Sequence, residues 1–200
     1  MVSLSPSMNQ TTYWLRGTKL PHDPATLAVE ELPPTGILRL QAPRGDARVP
    51  QIAREALGLD LPPAGRLVAD GHVQISCTTP DEWLLFCLML EERALQERLE
   101  RAYADCFVTV TVISDCQLGL MVNGPAAPDL LAKGCGLDTD PQVFAPGVAC
   151  ATRFAGLSAL LLRPAEGSFR LYTNASYAAY LLSWLIDAAM EFQVCSANAS

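Results

Sequence analysis

Two stretches of this chain repeat one order of elements, and that order restricts the folds open to it. Ile37–Leu40 reads as a strand and Val49–Leu57 as a short helix. A Pro-containing loop follows, and it begins with Gly58-Leu59-Asp60. Later, Leu118–Val122 reads as a strand and Leu130 and Leu131 lie on a short helix. Gly136-Leu137-Asp138 opens another loop, with Pro141 and Pro146. Trp83-Leu84-Leu85-Phe86 precedes one long helix, Leu90–Ala104; Phe169-Arg170-Leu171-Tyr172 precedes another, Ala175–Phe192. The order predicts an α+β fold of two similar strand-helix-strand-strand-helix halves related by duplication. The halves are expected over residues 36–113 and 114–194. Residues 1–35 come before them as an extended N-terminal arm, and residues 195–200 follow as a tail.

Local signals support the division. In the arm, Pro21, Pro24, Pro33 and Pro34 oppose a helix, and Trp14 with Leu15 is its strong apolar anchor. Asp70-Gly71 is a turn dipeptide inside the strand-like run Leu67–Cys77. Glu82–Met89 is apolar on both faces, as a central strand is. Phe107–Ile113 alternates like a strand, and Ala155-Gly156 joins two more. Pro125 suits the first position of a helix, and Gly134 is expected to end that helix in the left-handed conformation. Asn174 is a good N-cap. On Leu90–Ala104 an apolar stripe of Leu95, Leu99, Ala102 and Tyr103 predicts a buried face. The charged remainder, Glu91 and Glu92 included, predicts a wet one, with Glu97 and Arg101 as an i,i+4 pair.

Charge excludes several function classes. The net charge is −7, which opposes nucleic acid and an anionic membrane surface. The start, MVSLSPSMNQ, lacks the basic and apolar regions of a signal peptide, and the apolar runs are short for a membrane span. The seven cysteines lack paired spacing and read as small buried hydrophobes in a reducing cytoplasm. Only 18% of the residues are charged while 50% are hydrophobic. Two outcomes fit that balance: a permanent interface, or a well-filled monomer.

Catalytic constellations are scarce. Only two histidines occur, His22 and His72, with no C-x-x-C pair, so a metal site is not expected. His72 reads as a turn residue. A G-x-S-x-G elbow and a P-loop are missing, and Gly134-x-Gly136 follows a helix where a dinucleotide loop would precede one. Cys135 lies past a helix C-terminus, the wrong dipole end for a thiolate. Asp81 and Glu82 are explained by a turn entering a strand.

The run Asp129-Leu130-Leu131-Ala132-Lys133-Gly134-Cys135-Gly136-Leu137-Asp138, behind the Gly124-Pro125 turn, resembles the sarcosine oxidase γ-subunit family. Phe144-Ala145-Pro146-Gly147, Pro80-Asp81-Glu82-Trp83-Leu84-Leu85, Ser168-Phe169-Arg170-Leu171 and Tyr180-Leu181-Leu182-Ser183-Trp184-Leu185 extend the likeness over residues 65–192. At Gly136 the family pattern calls for proline. The resemblance implies a fold like the folate-binding domain of the glycine-cleavage aminomethyltransferase. It implies a non-catalytic subunit of a complex that oxidatively demethylates sarcosine, or a related N-methyl amine, to glycine. A larger α subunit, with β and δ, would be its partners. This chain would hold no cofactor; FAD, FMN, NAD and tetrahydrofolate would belong to the whole complex. The transferases carry a Gly-Gly…Asp-Asp strand toward folate; this chain has neither dipeptide. A freestanding folate-dependent aminomethyltransferase-like protein is the alternative, and a small-molecule-binding regulatory module is a third reading.

The last helix carries the candidate partner interface. Tyr177, Tyr180, Leu181, Trp184, Leu185 and Ala188 form a stripe expected to pack on this chain's own sheet. Leu182, Ile186, Ala189 and Met190 form a second apolar strip, expected to meet Trp14 of the arm or a partner subunit.

Overall fold

The structure is a computed structural model and describes residues 20–140 and 142–197. It divides into two compact units, one holding Pro34–Asp115 and the other holding residues 20–33 and 116–197. The first strands in the chain, β1 (His22–Asp23) and β2 (Leu27–Glu31), belong to the second unit.

The first unit runs β3 (Thr35–Gln41), α1 (Arg48–Leu57), β4 (Leu67–Ala69), β5 (Gln74–Thr79), β6 (Glu82–Leu88), α2 (Glu92–Ala102) and β7 (Thr109–Val112). Its antiparallel sheet has the order β4-β5-β6-β3-β7, so β6 is central. Leu38 sits opposite Leu85 on one side and Val112 on the other. One pleat face (Leu38, Leu40, Ile75, Leu85, Val110) packs with Val49 and Ala53 of α1 and Leu95 and Leu99 of α2. Gly58 ends α1 at φ 74, returning its N–H to the Arg54 carbonyl at 2.9 Å. Tyr103 at the end of α2 ties the two helices together, its hydroxyl donating to the Val49 carbonyl at 2.9 Å.

The second unit continues with β8 (Gln117–Asn123), α3 (Ala127–Gly134), β9 (Val148–Phe154), β10 (Leu157–Ala165), β11 (Ser168–Asn174) and α4 (Ala178–Ala197). The sheet order is β1-β2-β8-β11-β10-β9. Leu118, Leu120, Val122, Phe169 and Leu171 face Leu130 and Leu131 of α3 and Leu181 and Leu185 of α4. Asn174 accepts from the Ser176 N–H at 2.9 Å and caps the turn into α4.

The duplication is visible in the topology. Strand order β4-β5-β6-β3 corresponds to β9-β10-β11-β8, and α1 and α2 correspond to α3 and α4. The next place in each sheet is filled differently. In one it is β7, which follows the long helix of its own half; in the other it is β2, from the N-terminal segment. Within the segment expected as an arm, Leu27 and Val29 are therefore core residues, paired through β2 with β8. The short apolar run Leu27-Ala28-Val29 was the signal for this strand, and the surrounding prolines obscured it.

Four local expectations are corrected. Pro125 lies in a turn before α3, which starts at Ala127 with Pro128 in its first turn. Gly124, at φ 103, sits where a Cβ would come within 2.6 Å of the Thr26 carbonyl oxygen. The chain must finish that close passage before a helix can begin. Gly134 does not take the left-handed conformation; the residue after it, Cys135, is extended. On α2 the i,i+4 link is Gln96 Nε2 to Glu100 Oε1 at 2.9 Å, in place of Glu97 with Arg101. Glu92 is buried beside Gly36 instead of facing water.

Candidate partner interface

Groups expected to be structural are accounted for by local bonds. His72 sits in a turn made by Asp70, whose Oδ1 accepts the N–H groups of His72 at 2.8 Å and Val73 at 3.0 Å. Those bonds hold the Asp70 carboxyl below its usual range. Asp81 accepts from the Thr79 hydroxyl at 2.7 Å, and Glu82 accepts from Thr78 at 2.8 Å and from Gln41 at 3.0 Å. Burial pushes the thiols of Cys77, Cys87 and Cys150 up, the reverse of what an activated nucleophile requires. The Cys135 thiol lies 3.4 Å from the Leu131 carbonyl at the end of α3. Among the described residues, no group of three or more His, Cys, Asp or Glu side chains is arranged to hold a metal. No helix among them is long and apolar enough to cross a membrane.

What α4 presents is different in kind. It is held down by contacts that leave one side unused. Lys133 of α3 donates to the Ala188 carbonyl at 2.8 Å and pairs with Glu191 at 2.7 Å. Tyr180 donates its hydroxyl to the Ala155 carbonyl at 2.9 Å, and Trp184 meets the Phe154 ring edge-to-face at 5.1 Å. These contacts fix the rotation of the helix. Ala178, Leu181, Leu182, Leu185 and Ala189 then face the core.

The observed faces differ from the two expected strips. Leu182 is only 7% exposed and belongs to the core, as does Ala189, so neither lies on the outer strip. Tyr177 and Tyr180 are 45% and 51% exposed, so neither belongs to the buried stripe. Ile186 and Met190, at 39% and 54%, point outward, with exposed Ala179 and Ser183 on the same side. Trp14 lies outside the described residues. An α-helix turns 100° per residue, and the expected stripe was placed about one residue away from the face that packs.

The duplication supplies a comparison. The corresponding helix, α2, exposes Arg93, Glu97, Arg98, Glu100 and Arg101. On α4 the outward side carries Ala179, Ser183, Ile186 and Met190, with Asp187 at its border. The same place in the fold is solvated in one half and apolar in the other.

Comparison with known proteins identifies the family. The model of the "Sarcosine oxidase, gamma subunit family" matches residues 44–191. The sarcosine oxidase subunit gamma of Corynebacterium sp. (strain P-1) is 35% identical over 141 residues, which are 69% of this chain and 68% of that one. A chain of the heterotetrameric sarcosine oxidase from Corynebacterium sp. U-96, solved in complex with pyrrole 2-carboxylate, superposes with a TM-score of 0.78 at 30% identity. That match covers 86% of this chain and 88% of the other. The glycine cleavage system aminomethyltransferase T from Bartonella henselae gives a TM-score of 0.62 at 15% identity. It covers 80% of this chain but 45% of the transferase, a likeness of fold alone. With the family model spanning most of its length and a relative this similar across two thirds of both sequences, the chain belongs to the sarcosine oxidase gamma subunit family.

Proposed function

We infer that this chain is the non-catalytic γ subunit of a heterotetrameric, cytoplasmic sarcosine oxidase-type complex. The complex oxidatively demethylates sarcosine, or a related N-methyl amine, to glycine. A larger α subunit is the chain's direct partner, with β and δ subunits completing the assembly. FAD, FMN and NAD belong to the larger chains, and tetrahydrofolate accepts the one-carbon unit. Membership of the family supports this reading. The observation that carries the interface part is the outward apolar side of α4, where its counterpart α2 is charged.

The residues of this chain do not fit folate. The acidic Gly-Gly…Asp-Asp strand of the transferases has no counterpart. A shallow hollow of about 330 Å³ lies between Leu20–Leu27 and Phe192. Its acidic group, Asp23, is spent on the turn, accepting from the Ala25 N–H at 3.0 Å and the Thr26 hydroxyl at 2.9 Å. The chain's contribution is therefore a folded surface, and no chemical step is assigned to it. A shared fold does not transfer an activity.

The purified chain alone is expected to be colourless, to leave sarcosine unoxidised and to give no saturable heat with tetrahydrofolate. Co-expression with the other subunits is expected to yield a coloured complex that retains it. Stoichiometric flavin in the isolated chain would sink this reading, and micromolar saturable folate binding by it would favour the freestanding transferase-like protein.

A further inference from the structure

We propose that the outer edge of β9 is a second partner surface, which binds an extended segment of a neighbouring subunit as an added strand. This rests on reading the chain as a subunit. Sheet edges are hazards that proteins blunt with short strands, proline, lysine or bulges. Among the described residues, three of the four edge strands are short: β1 has 2 residues, β4 has 3 and β7 has 4. The fourth, β9, has 7 residues, Val148–Phe154, without proline or lysine. Its register with β10 runs unbroken from Phe154 opposite Leu157 to Val148 opposite Arg163. The duplication makes the contrast sharper, because β4 holds the corresponding place in the other half. One copy of this edge is blunted, and among the described residues no strand pairs with the outer side of the other.

The turn decides which groups the edge offers. Ala155 and Gly156, at φ 50 and 83, form a two-residue loop of the primed type. Such a loop makes Phe154 and Leu157 the closing hydrogen-bonded pair. Residues 154, 152 and 150 then bond to β10, while the Val148 N–H turns to the Ala145 carbonyl at 3.1 Å. Ala151 and Arg153 turn their N–H and C=O groups outward on exposed residues, and Ala149, of the same parity, is sealed. Neighbouring contacts fit that parity. The Cys150 thiol and Thr152 hydroxyl reach the carbonyls of Ala151 and Arg153 only at 3.5 Å. The one charge on the edge, Arg153, folds back onto the Gly156 carbonyl and does not guard it.

The side chains define the occupant. Val148 and Cys150 are half-buried and lie against the core, next to α3; Ala151 and Arg153 are exposed on the other face. An extended strand fits, with apolar residues at every second position on the α3 side and a single carboxylate beside Arg153. A second copy is disfavoured because it would bring together two chains of net charge −7.

The test uses the full chain, free and assembled by co-expression with its own neighbouring subunits, under residue-resolved hydrogen exchange. In the free chain, the amides of Ala151 and Arg153 are expected to exchange fast, and on assembly to slow by about tenfold or more. Ala151→Pro removes one outward N–H, a position where an edge strand tolerates proline. It is expected to leave the melting temperature of the free chain unchanged and to weaken assembly about tenfold. Thr152→Pro strikes the β10 ladder and is expected to lower the melting temperature of the free chain. If the complex forms normally while these two amides stay fast, strand addition is overturned and the subunit reading stands. If the wild-type chain joins no partner, the subunit reading itself falls. Protection that instead grows with the concentration of the free chain would identify a second copy as occupant and overturn the proposal.

Discussion

Gly134 and Phe154 are in such close approach that a Cβ on the glycine would lie 2.4 Å from the ring carbon Cε2. The ring has nowhere to go: it is 1% exposed and meets Trp184 edge-to-face. The last turn of α3 thus rests directly on the hairpin residue, and the Ala155 N–H donates to the Gly134 carbonyl at 2.8 Å. The glycine is required by contact, not by backbone conformation.

Gly134→Ala is therefore expected to destabilise the chain by about 1–3 kcal/mol, the usual cost of overpacking a filled core. Alanine is the better helix former by about 1 kcal/mol, so a change that stabilised the chain would mean the ring yields. Thermal or urea melting of the isolated protein decides it.

Ile186 and Leu182 separate partner contact from self-packing. Ile186→Asp is expected to cost the isolated chain less than about 1 kcal/mol, because the side chain is already exposed. It is expected to impair co-purification with the large subunit. Leu182→Asp puts a charge in the core and is expected to cost several kcal/mol with or without a partner. An Ile186→Asp chain that assembles like the wild type would remove the α4 strip from the interface.

Stability is expected to fall in alkali over a defined window. Burial, with Glu92 and Glu91 nearby, pushes the Cys87 thiol up to about 11. Burial raises the Tyr103 phenol to about 12, helped by Cys106. It raises Tyr172 to about 12 as well, against Arg170. Each group is neutral when protonated and holds its proton longer folded than unfolded. Their contribution is whole below the unfolded values, about 8.5 for the thiol and 10 for the phenols. It is lost as pH rises through 11 to 12. Denaturant midpoints measured from pH 8 upward should stay level to about 8.5 and then decline. A flat profile to pH 12 would show that these groups are not sealed in the fold.

Much of this was written in the chain. The strands β3, β6, β8 and β11 follow from short apolar runs, β7 from alternation, and the turns at Asp70-Gly71 and Ala155-Gly156 from turn chemistry, all of which are local. The repeated order of elements announced two α+β halves. The run from Asp129 to Asp138 carried the family likeness.

Residues distant in sequence decided the rest. Leu27 and Val29 become core only because β8 offers them an edge. Gly124 and Gly134 owe their places to Thr26 and Phe154, which no local window contains. The two long helices show the physical reason most directly. On α2, charges on most positions leave one arc that can be buried, so Leu95, Leu99 and Tyr103 were legible as core, though Ala102 is exposed and Glu92 is buried. On α4, Asp187 and Glu191 are the charged residues between Ala178 and Phe192. Many rotations of such a helix bury apolar surface about equally well. Lys133, Ala155 and Phe154, gripping it from α3 and the β9–β10 hairpin, hold the face that turns inward and leave Ile186 and Met190 outside.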